Sequence, residues 1–184
     1  PGAVHNMKPF DVHCHLYDES FDKDRDSVIE RAKKVLSGVI VAGETPKTNR
    51  KIIDLNKKYP KFCFISLGVH PVEIHKFTDE ELEAEVKWMR KQKLLAISEI
   101  GLDFMVLERD KLDEFAKMRQ LEWFKRFLKL ADALKIPAII HSRWATKPVI
   151  EILEDLKPKK AILHAFSGTN EEADRALKLG YKFS

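Results

Sequence analysis

Short apolar runs alternate with amphipathic stretches from Lys8 onward. The runs near 9–15, 38–42, 62–69, 94–100, 137–141, 160–164 and 181–184 are dense in Val, Ile, Leu and Phe and predict strands. Between them apolar residues recur every three or four positions, which predicts helices near 27–37, 46–58, 79–92, 111–135, 146–156 and 170–179. Val28, Ala32, Val35 and Leu36 form one inward stripe, and Leu121, Phe124, Leu128 and Ala131 form another in the longest helix. Ser27-x-x-Glu30, Thr78-x-x-Glu81 and Thr169-x-x-Glu172 fit capping boxes, in which side chains satisfy the unpaired amides of the first turn. Gly38, Pro60, Pro137, Pro158 and Gly180 end or follow the helical segments.

Strand–helix alternation of this kind builds a parallel sheet with right-handed crossovers. Closed on itself it is an α/β barrel of the (β/α)8 TIM-barrel type, which needs eight units and usually about 250 residues. About seven strands and six helices are present here, and the chain stops at Ser184 within the seventh strand. The expectation is an incomplete barrel lacking its last βα unit; an open doubly wound sheet is the alternative. Residues 7–184 make one domain. Residues 1–6 precede Met7 without periodicity and read as an expression remnant.

Composition narrows the class only modestly. Of 184 residues 44% are hydrophobic and 34% charged, as in a soluble globular chain with one sizeable core. The net charge of +4 does not diagnose nucleic-acid binding, though it is compatible with an anionic substrate. No apolar stretch reaches the roughly 20 residues that span a membrane, and no signal peptide is visible. Cys14 and Cys63 fall inside strands without CxxC spacing, which predicts buried thiols of a cytoplasmic protein.

The chemistry lies where the apolar runs end. Phe10-Asp-Val-His13-Cys-His15, Leu94-Leu-Ala-Ile-Ser-Glu99, Ala138-Ile-Ile-His141 and Ala161-Ile-Leu-His164 each close on a metal-type ligand. Parallel sheets gather their active groups at the carboxyl ends of the strands. Successive side chains alternate between faces, so Asp11, His13 and His15 share one face, and Glu99, Gly101 and Asp103 share another. A carboxylate such as Glu99 inside an apolar strand is costly unless paired or bound to a cation. A single strand-end histidine is ordinarily a hydrogen-bonded rim residue; four histidines and a glutamate together have no packing explanation. His70 also closes a strand, in Gly68-Val-His-Pro71, and belongs near the site, supporting other residues or contacting substrate. His75 reads as solvated. Arg143 suits either a phosphate or a salt bridge at the rim. Ser167-Gly168-Thr169 suits either an anion or an ordinary capped turn. Trp144 and Phe166 suit either a base or packing against neighbouring loops.

Asp11-Val-His-Cys-His15-Leu16, Gly68-Val-His-Pro71, Ser98-Glu-Ile-Gly-Leu-Asp103, Ile140-His-Ser-Arg143 and Leu163-His-Ala-Phe-Ser-Gly168 resemble, in order, the motifs of the TatD family of metal-dependent deoxyribonucleases, within the amidohydrolase-like barrels. The resemblance implies two divalent cations, with Zn²⁺, Mn²⁺ and Mg²⁺ all admissible. It places His13, His15 and Glu99 on the first, and Glu99, His141 and His164 on the second. It further implies hydrolysis of a phosphodiester in nucleic acid. From the residues themselves, His70 and Arg143 are the substrate-binding candidates.

The family pattern also carries an aspartate at the end of an eighth strand, beyond Ser184, so no catalytic residue is assigned. The 184-residue chain alone is therefore expected to be weakly active or inactive, or to cover its open edge as a homodimer. Two other functions stay open. One is a C–N hydrolase or deaminase on the same barrel, disfavoured because Glu99 stands where many such enzymes carry a carbamylated lysine. The other is a metal-binding fragment without catalysis.

Overall fold

The computed structural model describes residues 8–184; the expected remnant at 1–6 and the start at Met7 lie outside the described residues. Seven strands form one parallel sheet: β1 (Phe10–Cys14), β2 (Gly38–Ala42), β3 (Cys63–Leu67), β4 (Ala96–Asp103), β5 (Ala138–Arg143), β6 (Ala161–Leu163) and β7 (Lys182–Phe183). They pair in sequence order from β1 to β7. A doubly wound sheet would reverse its order at a switch point, so the open alternative is excluded. The sheet also curls. In a flat sheet β1 and β6 would lie about 24 Å apart, at roughly 4.8 Å per strand. Yet the rings of His13, on β1, and His164, just after β6, stack with centroids 3.6 Å apart.

Curling separates two apolar layers. On the concave side Ile40, Ala96 and Ile139 pack with Val12 and Ile162, drawing on five strands. On the convex side the helices cover the sheet: Ile29, Ile52, Leu82, Trp123, Phe124, Leu128, Val149 and Leu153 pack on Val41, Leu67, Ile97, Ile140 and Leu163. Strand ends are thereby held rigidly around one mouth.

Seven helices occur among the described residues, one more than expected: α1 (Arg25–Val35), α2 (Pro46–Lys58), α3 (Asp79–Met89), α4 (Phe104–Arg109), α5 (Glu114–Leu134), α6 (Thr146–Leu156) and α7 (Asn170–Lys178). The additional one, α4, forms because β4 runs on to Asp103, whose carboxylate accepts the Val106 amide at 3.0 Å and caps the helix. The Thr78 and Thr169 capping boxes are formed. The Ser27 box is not: α1 starts two residues earlier, after Asp24. A box at Thr45 and Thr48 starts α2 instead. In α1 the fully buried residue is Ile29, and Val35 points outward rather than into the expected stripe. Cys63 is buried but Cys14 only half-buried; burial pushes both thiols up to about 12. None of the helices among the described residues is long and apolar enough to cross a membrane.

Candidate metal centre

Glu99 organises the mouth of the sheet. It lies in the middle of β4 and is 4% exposed. Its two carboxylate oxygens face different partners. Oε2 lies 3.3 Å from His13 Nε2 and 3.6 Å from His15 Nε2. Oε1 lies 2.9 Å from His141 Nδ1 and 3.6 Å from His70 Nε2. Burial alone would raise its pKa, but hydrogen bonds from His13, His141 and His70 outweigh that and hold Glu99 well below the usual carboxylate range.

Local irregularities bring these groups together. β1 pairs out of step with β2 between Asp11 and Cys14, and β4 with β5 between Ile97 and Ile100. Such bulges re-aim side chains beside active sites. Simple alternation therefore does not govern His13, whose neighbour Val12 already packs with the concave layer; His13 and His15 nonetheless converge on one oxygen of Glu99. Asp11 accepts the His13 amide at 3.0 Å. β4 and β5 approach so closely at Gly101, where φ is +141°, that a Cβ there would strike the His141 carbonyl.

On the β5 side the imidazole of His141 donates from both nitrogens, to Glu99 and, at 3.1 Å, to Asp103 Oδ2. Burial lowers its pKa, but the two carboxylates overcome this and raise it above the ordinary histidine value. Asp103 is fully buried and also takes Arg143 Nε at 2.8 Å and Nη2 at 2.6 Å. Arg143 thus forms the rim salt bridge, with its side chain still 43% exposed. His70 accepts the Val72 amide on Nδ1 at 3.2 Å, so its Nε2 carries the proton that faces Glu99.

On the β1 side the His13 and His15 Nε2 atoms are only 3.1 Å apart. His13 Nδ1 is buried without a hydrogen-bond partner. His15 Nδ1 contacts the Tyr17 hydroxyl at 2.9 Å, and that hydroxyl donates to Glu44 Oε2 at 2.5 Å.

Two triads among the described residues can each hold a cation: His13, His15 and Glu99; and His70, Glu99 and His141. The first fits well. Ligand atoms about 2.1 Å from a tetrahedral ion lie about 3.4 Å from one another, and this triad shows 3.1, 3.3 and 3.6 Å. His164 belongs to neither triad. It stacks on His13, and its Nδ1 lies 3.3 Å from Ser184 Oγ; burial and then the His13 charge lower its pKa to about 4. Trp144 follows Arg143 with φ at +54° and is 64% exposed. Phe166 instead packs edge-on against Phe183. His75 is not solvated as expected: it sits half-buried in a short 3-10 turn (Ile74–Lys76), with its Nδ1 out of solvent, while His5 lies outside the described residues.

Sequence reasoning placed Asp103 on the Glu99 face without giving it a role, and it passed over Tyr17 and Glu44. The spacing of His15 and Tyr17 is the only local signal for that pair; Glu44 comes from the end of another strand.

The chain is similar in sequence and fold to several known proteins. Human deoxyribonuclease TATDN3 is 34% identical over 183 residues, covering 95% of this chain and 66% of that protein. The metal-dependent hydrolase MJ1582 of Methanocaldococcus jannaschii is 34% identical, covering 98% and 68%. The 3'-5' ssDNA/RNA exonuclease TatD of Erwinia tasmaniensis is 32% identical, covering 93% and 65%. Among solved structures, the TatD homologue YJJV of Escherichia coli superposes with a TM-score of 0.82 at 27% identity, covering 97% of this chain and 68% of that one. The chain spans about two thirds of the length of these relatives. Residues 10–184 match the model described as TatD related DNase, and the chain belongs to that family.

Proposed function

We propose that this chain is the metal-binding part of a phosphodiester hydrolase acting on nucleic acid, with Glu99 shared between two cations. The division of the Glu99 carboxylate carries the proposal: Oε2 faces the two β1 imidazoles, and Oε1 faces His141 and His70. A buried carboxylate with an imidazole group on each oxygen is the donor set of a bridging ligand. His13 and His15 would hold the first ion with Glu99. His141 would hold the second, and His164, from the neighbouring strand end, would join it only by leaving its stack on His13. Mixed imidazole and carboxylate ligands suit Zn²⁺ or Mn²⁺ better than Mg²⁺.

Bound cations would neutralise charge on the phosphoryl oxygens and make water a stronger nucleophile. The chain's own groups orient the substrate. Arg143 is fixed by Asp103 through Nε and Nη2 and keeps an exposed remainder for a phosphate oxygen. His70 is buried and holds Glu99 in place through its Nε2 proton; this assigns it to orienting the carboxylate before any contact with substrate. Trp144 exposes an indole beside that arginine, on which a base can stack. The names of the relatives, deoxyribonuclease and ssDNA/RNA exonuclease, support a nucleic-acid substrate.

The test is cleavage of bis(p-nitrophenyl) phosphate with added Mn²⁺ or Zn²⁺, with and without chelator, in the wild type and Glu99→Gln. Slow, chelator-sensitive turnover present only in the wild type is expected. Turnover indifferent to chelator and to the substitution would overturn the proposal.

A further inference from the structure

The two β1 histidines differ on the side away from Glu99. His13 leaves its buried Nδ1 unpartnered, whereas His15 Nδ1 meets a hydroxyl that meets a carboxylate. Proton counting orders the second chain. The Glu44 carboxylate only accepts, so the single Tyr17 hydroxyl proton points to it, at 2.5 Å. The hydroxyl oxygen is then an acceptor, and the group 2.9 Å away on His15 must donate. Nδ1 therefore carries the proton, leaving Nε2 with its lone pair directed at His13 Nε2 and Glu99.

We propose that Tyr17 and Glu44 are positioning residues that set the tautomer of His15 so that its Nε2 is ready for a divalent cation. This rests on the metal-hydrolase proposal for the same site and adds residues outside the ligand set. The relay is built in advance. Tyr17 is buried in the main core, which fixes its ring. Glu44 is held on both sides of its backbone: its amide donates to Thr48 Oγ1, at 3.0 Å, within the capping box of α2, and its carbonyl accepts the His70 amide at 2.9 Å. One helix start and the end of a neighbouring strand segment thus place the carboxylate. Outer partners that fix a ligand's tautomer commonly contribute 10- to 100-fold in metal affinity.

The experiment is long-range ¹H–¹⁵N NMR of the histidine rings in chelator-treated chain, paired with Zn²⁺ and Mn²⁺ titration calorimetry. The samples are wild type, Tyr17→Phe, Glu44→Gln and Glu44→Ala. Wild type is expected to show His15 protonated on Nδ1. Tyr17→Phe keeps the ring and removes the relay, so His15 shifts towards the Nε2-protonated form and affinity falls about tenfold or more. Glu44→Gln still offers an oxygen acceptor and retains the wild-type tautomer; Glu44→Ala behaves like Tyr17→Phe. If Tyr17→Phe does not fold, Glu44→Ala reads the relay from its exposed end. A wild-type His15 protonated on Nε2, or variants with unchanged tautomer and affinity, overturns the proposal. A chain with these tautomers and affinities but no phosphodiester turnover keeps the relay and removes the hydrolase assignment.

Discussion

The two sides of Glu99 face opposite electrostatic problems. On the β5 side the ionisable groups are paired within the protein: His141 bonds two carboxylates, and Arg143 neutralises Asp103. On the β1 side two Nε2 atoms crowd within 3.1 Å, and a buried Nδ1 has no partner. Buried polar atoms without partners cost free energy unless something completes them. The β5 side is a network of charges paired within the protein; the β1 side crowds two imidazoles on one carboxylate oxygen, where the proposed first cation would sit. In the metal-free protein the first should be rigid. The second should take up the first equivalent of Zn²⁺ or Mn²⁺, before His141 gives up its carboxylate partners.

Removing what the two sides share should have the largest effect. Glu99→Gln is expected to abolish turnover and cut metal content to near background while circular dichroism shows a folded chain. Elemental analysis after dialysis checks this; stoichiometric metal in the variant would separate the two sides after all. Next comes the backbone seam of the β5 side. Gly101→Ala must force β4 from β5 at His141, in a conformation that L side chains rarely adopt. A loss of about 2 kcal/mol or more is expected in urea unfolding, with the β1 histidine resonances less disturbed than that of His141. Asp103→Asn should cost about 1–3 kcal/mol by loosening His141 and Arg143, and the first metal should still bind with nearly wild-type affinity.

Titration distinguishes the histidines without mutation. In chelator, His141 should stay protonated above the ordinary value, and His164 should stay neutral down to about 4. The signs oppose each other. His141 stabilises the fold below its unfolded pKa and loses that contribution as pH rises through its raised folded pKa. His164 withdraws stability as pH falls below its unfolded pKa towards about 4. Ring-proton shifts against pH read both; identical midpoints would contradict the asymmetry. The smallest effect concerns substrate. Trp144→Ala should raise KM for a single-stranded oligonucleotide by about tenfold, corresponding to one lost base stack, and leave bis(p-nitrophenyl) phosphate turnover unchanged.

Much of this mouth is visible in the chain because parallel strands deliver ligands at their ends. His13, His15, Glu99 and His141 each close an apolar run, and all four converge. What stayed hidden is long-range or irregular. The Tyr17–Glu44 contact joins residues 27 apart through a bond that no periodicity encodes. The bulges in β1 and β4 break the alternation that strand parity assumes. The capping box of α2 uses Thr48 in place of a glutamate, so it lacked the usual signature. α4 was missed because six residues are too few for helical periodicity to show; only the Asp103 cap marks its start.

Anomalous diffraction from crystals of this chain grown with Mn²⁺ or Zn²⁺ tests the central claim most directly. The account predicts one peak coordinated by Glu99 Oε2 with both β1 imidazoles, and at higher metal concentration a second on Oε1 with His141. Fully occupied metal peaks that avoid Glu99, or a single ion on the His141 side with the β1 pair empty, would contradict it.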